Sequence, residues 1–147
     1  MTSWTFHFLA PIILMTLSAL VLSTLGVLHL IYTFHGPKLT PRDPDLQARM
    51  AEVHPVITRQ TTMWRAWVGF NASHSMGAIL FGLIYGFLGN AYPEILFSSP
   101  FLLAVGLAML GGFAVLGKVY WFRIPFRGIV ISLVCYLASI ATWWWPG

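Results

Sequence analysis

Four stretches of this chain, residues 8–34, 63–88, 101–120 and 127–144, are apolar for long enough to cross a bilayer. A hydrocarbon core is ~30 Å thick and takes ~20 helical residues to span. Inside it each backbone N–H and C=O must be satisfied within the chain, and for an isolated apolar run that means a helix. The expectation is an all-α fold: an integral membrane four-helix bundle, a single domain over residues 1–147. Charged residues are only 8% of the chain, against about 25% in soluble domains, which excludes an ordinary soluble protein. The first run is too long for a signal peptide, has no positive charge before it and no small-x-small site after it. It reads as a retained span, with Pro11 expected in its first turn.

The charges then orient the spans. Eight Lys and Arg stand against four Asp and Glu. Five of the cations, Lys38, Arg42, Arg49, Arg59 and Arg65, lie between the first two spans or at the mouth of the second; Lys118, Arg123 and Arg127 lie around the third connection. Cytoplasmic loops carry the excess of Lys and Arg. Loops 35–62 and 121–126 are therefore expected in the cytoplasm of an inner-membrane protein, with both termini and the middle connection outside. The basic excess reports topology, and no nucleic-acid partner is expected. Gly36-Pro37 ends the first span. Arg42-Asp-Pro-Asp45 reads as a turn and cap, and Leu46, Arg49, Met50 and Val53 have the spacing of a short interfacial helix over 45–53 in the first cytoplasmic loop. Residues 90–100 read as a short loop and Trp121–Gly128 as a tight basic turn. Trp143-Trp-Trp145 reads as an interfacial anchor, since indole is amphipathic.

Polar residues inside such spans are costly unless they face protein, water or a ligand. The segment Thr61–Gly77 concentrates them: Arg65, Asn71, Ser73, His74 and Ser75. Asn71, Ser75, Ala78, Gly82 and Gly86 form one small-and-polar helical stripe, and Gly82 and Gly86 have the G-x-x-x-G spacing that lets helices approach closely. Gly106, Gly111 and Gly112 offer similar contact points on the third span. On the first span, His29 lies ~8 Å inside the cytoplasmic end at 1.5 Å per residue, on a face shared with Leu22, Gly26 and Thr33. If that face meets the Asn71–Ser75 face, a polar pocket opens toward the cytoplasm, rimmed by Lys118 and Arg127. Three readings follow. Arg65, Arg123 and Arg127 suit the carboxylate or phosphate of an amphipathic ligand. His29 and His74 could ligate haem b between helices. Or His29, Asn71 and His74 simply hydrogen-bond one another and hold the helices together.

Other chemistry is poorly served. With four acids, none inside a span, a paired-carboxylate mechanism, a hard-metal site and an acid-relayed proton transporter are not expected. One cysteine, Cys135, allows neither an internal disulfide nor a cysteine metal cluster. His7, His35 and His54 read as interfacial or solvated.

Two resemblances add to this. Thr61–Gly77, with Gly117-Lys-Val-Tyr-Trp-Phe and Pro125-Phe-Arg-Gly128, resembles an uncharacterised family of small bacterial four-helix membrane proteins, which implies the fold alone. The overall plan also resembles the MAPEG family, membrane-associated proteins of eicosanoid and glutathione metabolism. Arg65-Ala66 and Asn71 are similar to that family's glutathione-binding pattern in the second helix, although Asn71 is two positions late and no Glu follows. Gly117-Lys118, Tyr120 and Arg127 are similar to a pattern in its third and fourth helices, with Lys for Arg. This resemblance implies a homotrimer with glutathione as cofactor and transferase or peroxidase activity. The leading expectation remains a multi-pass protein that binds an amphipathic or anionic ligand, or an accessory subunit of a larger membrane complex or homo-oligomer; whether it is an enzyme stays open.

Overall fold

The computed structural model describes residues 3–145, with side chains from residue 9 onward, so the side chain of His7 lies outside the described residues. Every element among them is helical: α1 (Ser3–Phe34), α2 (Pro44–Glu52), α3 (Met63–Ala91), α4 (Pro93–Ser98), α5 (Pro100–Tyr120) and α6 (Arg123–Trp144). Four are long and apolar enough to cross a membrane: α1 from Leu9, α3, α5 and α6.

The chain divides into two compact units, and the division cuts α1 and α3. The first unit, 1–25 with 78–147, contains parts of all four long helices around one core of Met15, Leu22, Phe81, Tyr85, Leu96, Phe97, Leu110, Ile129 and Tyr136. Side-chain hydroxyls tie this core together. Ser132 donates to the Ser18 carbonyl at 2.9 Å, and the two serine hydroxyls are 3.0 Å apart. Ser139 donates to the Pro11 carbonyl at 2.7 Å, Tyr85 to the Leu102 carbonyl at 2.6 Å and Tyr136 to the Leu103 carbonyl at 2.8 Å. Ser132, Tyr136 and Ser139 share one face of α6 at i, i+4 and i+7.

Glycine seams differ in what they face. A Cβ at Gly82 would sit 2.7 Å from the Ala19 carbonyl oxygen, so α3 rests on the backbone of α1 there. Gly86 meets Ala19 at an ordinary 3.4 Å, and Gly106 lies under the rings of Tyr85 and Tyr136. Gly111 and Gly112, expected as packing glycines, have no neighbour within 4 Å of where a Cβ would stand.

The second unit, 26–77, holds the end of α1, the polar loop with α2, and the start of α3. Gly36, at φ 81°, turns the chain out of α1, a left-handed conformation that glycine adopts without a Cβ penalty. Asp43 caps α2 by accepting from the Asp45 N–H at 3.0 Å, with Pro44 in the first turn.

Several expected boundaries move. Pro11 is interior to α1 rather than in its first turn, because the helix already begins at Ser3. The loop over 90–100 contains α4, a six-residue helix between two prolines, too short to leave a periodic signal. The basic turn at Trp121–Gly128 shrinks to Trp121 and Phe122, since α6 opens at Arg123 and Pro125 is tolerated in its first turn. Of the three terminal tryptophans, Trp143 stacks on Phe97 at 4.5 Å between centroids, while Trp144 and Trp145 are exposed.

Candidate functional site

The polar segment of α3 meets the end of α1 inside the second unit. His29 Nε2 and Asn71 Oδ1 are 3.0 Å apart. The roles follow from the neighbouring bond. Asn71 Nδ2 donates to the Trp67 carbonyl at 2.8 Å, and a carbonyl can only accept. The amide is thereby oriented with its oxygen toward His29, so His29 Nε2 carries the hydrogen and donates. The His29 and His74 rings touch edge to face, with centroids 5.4 Å apart.

The surrounding hydroxyls are spent locally. Ser75, fully buried, donates to the Asn71 carbonyl at 2.8 Å, and Thr33 donates to the His29 carbonyl at 2.8 Å. Each is the i−4 back-bond by which serine and threonine satisfy themselves within a helix. Among the described residues, no buried side-chain nitrogen or oxygen lacks a hydrogen-bond partner.

A cleft of ≈ 120 Å³ opens in the same unit, lined by Tyr32, Thr33, Phe34, Gly36, Leu39, Thr40, Trp64, Trp67, Val68 and Asn71. Four of these residues are aromatic. The Trp67 indole donates to the Leu39 carbonyl at 3.0 Å and ties the loop after α1 to the start of α3. Lys38 Nζ stands 3.8 Å from the centroid of the Tyr32 ring, within cation–π range.

The structure thus brings His29, Asn71 and His74 together with Ser75 beneath them. Asn71 alone of the expected ligand-binding residues lines the cleft. Arg65 is exposed on the first turn of α3, its backbone N–H accepted by Thr62 Oγ1 at 3.3 Å. Lys118 and Tyr120 close α5, and Arg123 and Arg127 open α6; all four are exposed and belong to the first unit. The aromatic wall was not foreseen. Its signal was present in Trp64 and Trp67, three apart on one helix, but their partners come from the loop after α1, which has no period to read.

Haem b does not fit the histidine pair as placed. Axial imidazoles on opposite faces need the macrocycle between them, each nitrogen free to bind iron. Here the rings are in direct contact, and His29 Nε2 is engaged by Asn71. No group of three or more His, Cys, Asp or Glu among the described residues could hold a metal ion.

No protein-family model, no curated protein and no solved structure matches this chain.

Proposed function

We propose that this is a multi-pass inner-membrane protein that binds one end of an amphipathic or anionic molecule in the cleft at the start of α3. Loops 35–62 and 121–126 lie in the cytoplasm in this reading, with both termini outside. The observation that carries it is the cleft itself, lined by four aromatic residues and by Asn71, whose amide is held by two hydrogen bonds. At ≈ 120 Å³ it is well below the 300–1,000 Å³ that encloses a whole drug-sized molecule. A ligand held there keeps most of its surface outside, which suits a polar or cyclic end in the cleft and a chain in lipid. Exposed Arg65 supplies a nearby positive charge for a carboxylate or phosphate.

The test is purification in mild detergent with mass spectrometry of co-eluting small molecules, for the native chain and for Thr40→Phe. Thr40 lies in the loop, so the bulkier ring fills the cleft without changing either long helix. A molecule enriched with the native chain and lost from the variant is expected. Equal recovery from both, or none from either, overturns the reading.

A second reading, an accessory subunit or homo-oligomer, is favoured by Gly111 and Gly112, glycines of α5 where an added Cβ would meet nothing within 4 Å among the described residues. A MAPEG-like glutathione transferase remains the third: glutathione-dependent stabilisation against heat, together with thiol transfer, separates it from the first two.

A further inference from the structure

The loop from α2 to α3 carries an apolar pair where turn chemistry argues against one. Thr58 N–H donates to the Pro55 carbonyl at 3.2 Å, which places Val56 and Ile57 at the two corner positions of a turn. Corners of turns favour Gly, Asn, Asp and Ser. Val56 and Ile57 are instead β-branched, and they are the most exposed large apolar residues described, at 109% and 92%. The turn is not a loose tip. Met63 N–H donates to the Val53 carbonyl at 2.9 Å, His54 Nδ1 donates to the Thr61 carbonyl at 2.7 Å, and Gln60 N–H donates to Thr58 Oγ1 at 3.1 Å. The neck is therefore closed on the first residue of α3, itself a helix able to span a membrane.

We propose that the Val56-Ile57 turn dips into the bilayer surface and anchors the cytoplasmic loop to lipid. The inference rests on the membrane placement proposed above and not on ligand binding in the cleft. Reach supports it: the shorter arm, from Val53 at the neck to Val56 at the tip, is three residues, at most ~11 Å of extended chain, and the headgroup layer on each side of the core is only ~5–8 Å deep. Charge supports it as well. Residues 53–62 contain one charged side chain, Arg59, and no acid, so the tip presents apolar tissue beside a cation. A juxtamembrane cation is attracted to anionic lipid, and residues 53–62 hold no carboxylate to oppose it. The occupant is a lipid surface containing anionic headgroups.

The experiment uses the full chain in nanodiscs of mixed anionic and zwitterionic lipid. In a Cys135→Ser background, Ile57→Cys and, separately, Val56→Cys carry an environment-sensitive fluorophore; both positions are fully exposed, so folding is not at stake. Leu80→Cys, exposed on α3, reports whether the chain spans at all. Lipids bearing a nitroxide high on the acyl chain are expected to remove most of the emission at 56 and 57, with a blue shift relative to the label in water. Emission at 56 and 57 that stays water-like while Leu80→Cys is quenched overturns the anchor and leaves the membrane placement standing. A blue shift without nitroxide quenching also overturns it, by showing that protein covers the tip. Loss of quenching at all three positions overturns both the anchor and the membrane placement.

Discussion

Asn71 shows how one amide can organise a polar cluster in an otherwise apolar helix. Its nitrogen is committed to its own helix through Trp67 and its oxygen to α1 through His29. Hydrogen bonds between membrane helices average ~0.6 kcal/mol and reach ~1.7 kcal/mol, because unpaired polar groups find other partners in the less folded state. A double-mutant cycle on His29→Leu and Asn71→Leu, read from thermal unfolding in detergent, is therefore expected to give a coupling of about 0.6–1.7 kcal/mol. Strictly additive losses would show that the 3.0 Å contact contributes nothing. The polar residues of this cluster were legible in the sequence as anomalies, and helical spacing grouped them on one face of each helix, but it left open whether the His29 and Asn71 faces meet. The orientation of the amide was not legible, since it depends on a carbonyl four residues away and on which helix stands opposite.

At the scale of elements, the glycines separate close contact from open surface. Glycine costs a helix about 1 kcal/mol relative to alanine, so replacing one should stabilise wherever a methyl group fits. At Gly112 it fits, with nothing within 4 Å. At Gly82 the added carbon would press on the Ala19 backbone and Ser23, and backbone cannot rotate away; overpacking of that kind costs roughly 1–3 kcal/mol. Gly82→Ala should therefore lower the melting temperature in detergent while Gly112→Ala leaves it unchanged or raises it. Equal effects would mean that α1 and α3 do not touch at Gly82. The G-x-x-x-G spacing in the sequence marked a close approach but could not say which glycine bears it: Gly82 meets backbone, whereas Gly86 has ordinary contact. The hydroxyls of Ser132 and Ser139 gave no signal at all, because a serine in a span reads the same whether it bonds its own helix or the next one.

For the whole molecule, the existence of four long apolar helices was legible in the sequence, because each apolar run is long enough to cross a bilayer. Helix ends were less legible, since prolines at 93, 100 and 125 are compatible with either a loop or the first turn of a helix. The proposed orientation has its own test. In a Cys135→Ser background, Ser98→Cys should react with an impermeant maleimide on intact spheroplasts, and Asp45→Cys only after lysis; the reverse pattern would invert the topology. One consequence concerns manufacture. Ser132 and Ser139 lie 114 and 128 residues downstream of the carbonyls they bond, those of Ser18 and Pro11. A ribosome adding 5–20 residues per second needs roughly 6–25 s to cover that distance. Throughout that interval α1 has been made and its α6 partners have not. In the proposed membrane placement α1 therefore waits for the last helix, and a chain that stops just short of residue 132 lacks both of these bonds.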